Sequence, residues 1–144
     1  MSVVDELPDW AAEMLATARV GRLGLLDRDD RPRVLPVTFA LYEGALYSAI
    51  DAKPKRVAPE RIARVAYLRR RPEAALTVDH YEDDWSRLAW VQVLGRVEVL
   101  EARDEHEGLH ALRAKYRAYA EEPPSGPLLE LVPESALCWS AQDR

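Results

Sequence analysis

The residues best equipped for chemistry lie in one short run, Lys53-Pro54-Lys55-Arg56, directly after the strand-like segment Tyr47-Ser48-Ala49-Ile50. Two lysines and an arginine at one strand end, with Pro54 limiting the backbone between them, form a cationic turn suited to a multiply charged anion. Lysine offers a mobile point charge and arginine a planar fork, so together they can hold phosphate oxygens from two directions. A solvated basic turn leading into a helix is the alternative that these four residues leave open.

Other residues offer different chemistry. His106-Glu107-Gly108-Leu109-His110 is an H-E-x-x-H string. On a helix, that spacing places two imidazoles on one face for zinc, with the glutamate as general base and Glu130 available as a third ligand. The rival reading is an exposed helix face weakened by Gly108, in a strand-rich chain without a second lobe to form a peptide cleft. His80, at a strand end, reads as a structural hydrogen-bonding residue, and Cys138, between Leu137 and Trp139, as a small core side chain. Trp85 and Trp90 read equally as core or interface aromatics and as ligand-stacking ones. The chain has no Ser/His/Asp arrangement, Walker loop or dinucleotide fingerprint.

Composition narrows the functions further. With 144 residues, 48% of them hydrophobic, the chain fits one domain, 1–144, around one core. The net charge of −5 argues against a general nucleic-acid binder, which needs a cationic surface. The charge is uneven: residues 53–71 carry eight Lys/Arg against Glu60 alone, giving +7 there and −12 elsewhere. One basic zone on an acidic protein fits a small anionic ligand. The single cysteine excludes an intrachain disulfide, and no apolar stretch reaches the length of a membrane span, so a cytoplasmic protein without membrane contact is expected.

The elements that must position these residues follow from periodicity. Pro8–Ala18 predicts a short amphipathic helix, and residues 19–27 a strand with Gly21 and Gly24 permitting close approach. Arg33–Tyr42 alternates as one strand, and Pro36 places it at an edge or a bulge. Glu43-Gly44 links it by a hairpin to Ala45–Ile50. Residues 58–71 predict a helix with Ile62, Val65 and Ala66 inward and Arg61, Arg64 and Arg71 on a solvated face. Strands over 74–80 and 88–101 follow, the second bending at Gly95. A charged helix over 104–119 and a closing strand over 128–140, interrupted at Pro133, complete the chain. Strands joined by hairpins, with a helix in a crossover position, predict a mainly β fold: a six-stranded antiparallel barrel with peripheral helices.

The order of elements, the runs Arg33-Val34-Leu35-Pro36-Val37 and Leu46-Tyr47-Ser48-Ala49, the Lys53-Pro54-Lys55-Arg56 turn and the loop Asp79-His80-Tyr81-Glu82-Asp83-Asp84-Trp85-Ser86-Arg87 together resemble one family. It is the flavin/deazaflavin oxidoreductase superfamily, the pyridoxamine 5′-phosphate oxidase-like split β-barrels with an FMN-binding fold. Within it the chain resembles the coenzyme F(420)-dependent enzymes found in actinobacteria. The resemblance covers roughly residues 8 to 140, and its more specific parts are the basic turn and the His80–Arg87 loop.

The resemblance implies a homodimer with a cofactor site at each subunit interface. Lys53, Lys55 and Arg56 would bind the cofactor phosphate, Pro36, Val37, Thr38, Ser48 and Ala49 would border the ring, and Trp85 and Arg87 would close the site from the partner subunit. It implies hydride transfer between the deazaflavin and a small organic acceptor; no catalytic side chain is assigned, water can supply any proton, and Tyr47 and His80 are only weak candidates for a donor. The alternatives within the fold are an FMN-binding oxidoreductase and a haem-handling protein. Outside it stand a zinc hydrolase on His106, His110 and Glu130 and a non-catalytic cofactor carrier.

Overall fold

The computed structural model describes residues 2–50, 59–101 and 106–142. Lys53, Lys55 and Arg56 lie outside the described residues, as do the side chains of Arg61 and Ile62. In chain order the elements are α1 (Asp9–Thr17), β1 (Gly21–Leu26), β2 (Pro32–Val37), β3 (Ala40–Tyr42), β4 (Ala45–Ala49), α2 (Pro59–Arg70), β5 (Glu73–His80), β6 (Ala89–Leu100), α3 (Glu107–Lys115), α4 (Arg117–Glu121) and β7 (Leu128–Ser140). The strands form one antiparallel sheet in the order β2-β1-β5-β6-β7-β4-β3.

That order explains the barrel. β2 and β3 lie at opposite edges of the sheet yet are joined by Thr38 and Phe39 alone. Three Cα–Cα steps reach roughly 11 Å at most, so the sheet must curl until its two edges nearly meet. The sheet has seven strands where six are expected, because the single strand foreseen over Arg33–Tyr42 is split at Thr38–Phe39. Side chains replace the ladder there. The Phe39 amide donates to the Tyr116 hydroxyl (3.1 Å), and the Phe39 carbonyl accepts from Lys115 Nζ (2.8 Å). The Thr38 carbonyl accepts from Ser48 Oγ (2.8 Å). A backbone leaving a sheet needs such partners, since an unpaired buried polar group costs about 1–3 kcal/mol. The edge position inferred for Pro36 holds, because β2 pairs with β1 only.

Period-two burial builds the interior. Leu23 and Leu25 of β1, Leu76 and Val78 of β5, Val91, Val93 and Val97 of β6, and Leu129 and Leu131 of β7 all point inward around Phe39, which is fully buried. α1 adds Ala11 and Leu15, four residues apart and so on one face. The Glu43-Gly44 link is the expected two-residue hairpin, with both residues at positive φ (45° and 78°), the conformation of a type I′ turn.

Three other expectations change. β7 runs unbroken through Pro133, because the β6–β7 ladder shifts register between Leu94 and Gly95 and absorbs the proline in a bulge. Gly95 is required there: a Cβ would lie 2.0 Å from the Val132 carbonyl oxygen. The helix expected over 104–119 begins at Glu107 and breaks at Tyr116, which lies between α3 and α4 in extended conformation. Among the described side chains of α2, Arg64, Val65 and Leu68 are buried, whereas Ala66 is exposed. No described helix is long and apolar enough to cross a membrane.

Candidate functional site

The split between β2 and β3 opens a cavity of about 200 Å³. Its walls come from the end of β2 and the crossover (Pro36, Val37, Thr38), the end of β4 (Ser48, Ala49), Val20 before β1, Arg64 of α2 and Tyr119 of α4. All five residues expected to border a cofactor ring therefore line one space. Register explains why: β4 ends at Ala49, paired with Leu128, while β2 ends at Val37, paired with Gly21, and the crossover carries Thr38 between them. The side chains divide by chemistry. Val20, Pro36, Val37 and Ala49 offer apolar surface, and Thr38, Ser48, Tyr119 and Arg64 offer hydrogen-bonding groups.

These polar groups are held in place. Thr38 Oγ1 and the Tyr119 hydroxyl are 2.7 Å apart, and Ser48 is buried with its Oγ committed to the Thr38 carbonyl. Arg64 is only 6% exposed, the most buried cation among the described residues. This corrects its assignment to a solvated face. Its position four residues before buried Leu68, on the same helical stripe, is the sequence signal that points inward. Tyr119 also went unnoticed as a site residue, although Tyr116 and Tyr119 form an i, i+3 aromatic pair in an otherwise charged stretch and their rings pack edge to face, 5.7 Å apart.

Trp85 and Arg87 do not line this cavity. Trp85 is 68% exposed in the loop after β5. Arg87 pairs with Glu82 at 3.2 Å and lines a separate depression with Trp10, Met14 and His80. The weak proton-donor candidates are engaged as well. The Tyr47 hydroxyl donates to Glu130 Oε2 (2.6 Å), and burial together with that carboxylate pushes its pKa well above the usual phenol range. His80 bonds Glu82.

The H-E-x-x-H string does not form a helical pair of ligands. His106 is the N-cap of α3: its Nδ1 accepts from the Gly108 amide (3.0 Å) and its carbonyl accepts from the His110 amide. Its ring packs against Tyr47 at 5.6 Å, while His110 is exposed on the helix and Glu130 is held by Tyr47. Among the described residues no group of three or more His, Cys, Asp or Glu is placed to hold a metal. Gly108 has a packing role instead, since a Cβ there would lie 2.3 Å from Tyr47 Cδ1.

Where the start of β6 pairs with the end of β7, the outer face of the sheet carries exposed apolar side chains. Trp90 and Trp139 are register partners and 37% and 46% exposed, with Leu137 beside them at 51%. Cys138, on the alternate side of β7, packs partly buried against the core, as expected of a small core residue.

Comparison with known proteins agrees with this architecture. Among solved structures, a conserved hypothetical protein of Mycobacterium tuberculosis superposes with a TM-score of 0.73 at 17% identity, over 94% of this chain and 86% of that chain. An F(420) reductase gives a TM-score of 0.68 at 18% identity, over 91% and 98%. An FAD-binding protein of Mesorhizobium loti gives 0.64 at 21% identity, over 88% and 87%. At these identities the likeness is one of fold. No curated protein matches the sequence. The family model for pyridoxamine 5′-phosphate oxidase, however, matches residues 7–139, and so the chain belongs to the pyridoxamine 5′-phosphate oxidase family of split β-barrels.

Proposed function

We propose that this protein is an oxidoreductase that binds the deazaflavin coenzyme F(420) in the cavity between β2 and β4 and supports hydride transfer to a small organic acceptor. The observation that carries the reading is the convergence of Pro36, Val37, Thr38, Ser48 and Ala49 on one cavity that also receives the buried cation Arg64. Apolar walls with hydroxyls and a guanidinium at the edge suit a flat ring rimmed by carbonyl oxygens. The +7 segment over residues 53–71 favours a cofactor with phosphate and carboxylate groups, and the likeness to an F(420) reductase supports the same class.

Val20, Pro36, Val37 and Ala49 exclude water from the ring faces. Thr38, Tyr119 and Arg64 orient the ring edge, and Lys53, Lys55 and Arg56 hold the phosphate. The reduced cofactor would supply the hydride. A cavity of about 200 Å³ is below the roughly 300–1,000 Å³ of a complete small-molecule site. That shortfall, with the exposed Trp90–Trp139 pair, supports a homodimer in which Trp85 and Arg87 of a second copy complete the site.

FMN is the second reading, favoured by the family itself and by the likeness to an FAD-binding protein. The test is a fluorescence titration of the purified protein with oxidised coenzyme F(420) beside FMN at matched salt. Micromolar or tighter F(420) binding with weaker FMN binding is expected. Preference for FMN would move the protein to the flavin branch, and binding of neither would end the cofactor reading. Binding without turnover across an acceptor screen would make it a carrier.

A further inference from the structure

Two cations share one tyrosine ring behind the crossover. The Arg19 guanidinium carbon lies 4.6 Å from the centre of the Tyr116 ring, and Lys115 Nζ lies 5.3 Å from the same centre and 4.0 Å from that of Phe39. Lys115 donates to the Phe39 carbonyl oxygen, and Arg19 presents its own carbonyl to the Tyr116 hydroxyl.

Among the described residues neither cation makes an ion pair, although Arg22, Arg33, Arg87 and Arg96 of the strands and loops all do. The carboxylates Glu107 and Glu130 lie at the other end of α3, where Tyr42 and Tyr47 meet Glu107, Gly108 and Glu130. At the Lys115 end stand Arg19, Arg113, Tyr116 and Tyr119, with no acid among them. Burial and the nearby Arg19 charge pull the Lys115 amine down to about 8. A partly desolvated cation beside a second cation is costly unless an anion joins them. Val20, which follows Arg19, lines the cavity, and so does Thr38, which precedes the Phe39 whose carbonyl Lys115 binds.

We propose that Arg19 and Lys115 form a binding site for an oxyanion, a carboxylate or phosphate group, at the edge of the cavity. Resting on the reading of that cavity as a ligand site, the inference assigns a further acidic group to its cofactor or to its acceptor. The pair supplies what such a group needs: a planar fork from the exposed Arg19 and a point charge from Lys115, whose partly buried setting strengthens its attraction.

The test is the side-chain titration of Lys115, followed by NMR of protein labelled at the lysine ε-carbon, in chloride, inorganic phosphate or succinate at matched ionic strength. Phosphate or succinate should raise the Lys115 midpoint saturably by about one unit, a tenfold preference of the anion for the protonated amine. Arg19→Gln should raise the midpoint without anion, by removing the repulsion, and should abolish the anion response. A midpoint that follows ionic strength alone, or an undiminished response in Arg19→Gln, overturns the proposal.

Oxidised F(420) and FMN are titrated on the same samples. If neither binds while phosphate still moves Lys115, the anion site stands and the ring reading falls. If a cofactor binds and no anion moves Lys115, the ring reading stands and the anion site falls. Displacement of phosphate by the cofactor would assign the acidic group to the cofactor, and joint binding would assign it to the acceptor.

Discussion

Replacing Gly95 with alanine tests whether the β6–β7 bulge is a requirement of the fold. The added Cβ would meet the Val132 carbonyl oxygen at 2.0 Å, its carbon at 2.9 Å and Pro133 Cα at 3.0 Å. All three are backbone atoms of the facing strand, so no side-chain rotation relieves the contact. Overpacking costs about 1–3 kcal/mol, and a backbone obstacle places this variant at the upper end. The lower unfolded-state entropy of alanine returns about 0.5–1 kcal/mol. The net loss of about 2 kcal/mol corresponds to a Tm lower by roughly 7 °C for a chain of this size. Gly24→Ala is the matched control, because its nearest neighbour would be the Ala75 carbonyl oxygen at an ordinary 3.8 Å, and it should melt at or slightly above the wild type. Differential scanning calorimetry of the three proteins decides the matter. Equal Tm values for the two variants would refute the reasoning.

Tyr116→Phe removes the hydroxyl that accepts from the buried Phe39 amide, and should cost about 1–3 kcal/mol by urea denaturation. Arg64→Met should weaken binding of the cofactor by about tenfold or more while Arg64→Lys recovers part of it, measured by fluorescence titration; equal affinity in all three proteins would remove Arg64 from the site. The lowered Lys115 pKa fixes the sign of a pH effect. Above about pH 8 the folded protein has released a proton that the unfolded chain keeps until the ordinary lysine range, so stability from this group rises with pH across that window. The difference in unfolding free energy between wild type and Lys115→Met, followed from pH 7 to 10, should show that rise, and a flat or falling difference contradicts it.

The barrel was legible because its signals are local. Alternation on β1, β5 and β6, the Glu43-Gly44 turn and the glycine at the bend each act over a few residues. The ring-bordering residues were found through motif resemblance, and the structure gathers them. The split at Thr38–Phe39 was not legible, because the alternation of Arg33–Tyr42 continues through it and the groups that capture the freed Phe39 backbone, Lys115 and Tyr116, lie more than 70 residues away. Arg64 was misjudged for a related reason. A charged residue on a helix reads as solvated until a cavity beside it is known. The H-E-x-x-H string misleads in the opposite direction, since its spacing is right and only the capping geometry shows that His106 stands outside the helix.

The sheet order also dictates when the molecule can be assembled. β4 has two neighbours, β3 by a local hairpin and β7, whose Glu130 meets Tyr47 across 83 residues of sequence. During synthesis from the N-terminus the β3–β4 hairpin must therefore wait, with one strand edge open, until β7 has emerged. Tyr119, on the cavity wall, emerges shortly before it. A nascent chain stopped before residue 128 would carry most of the hydrophobic interior but no closed barrel, and such a long-range closure folds slowly. Ribosome-bound intermediates would then depend on holding factors to shield that edge, and ligand capture would be confined to the finished chain.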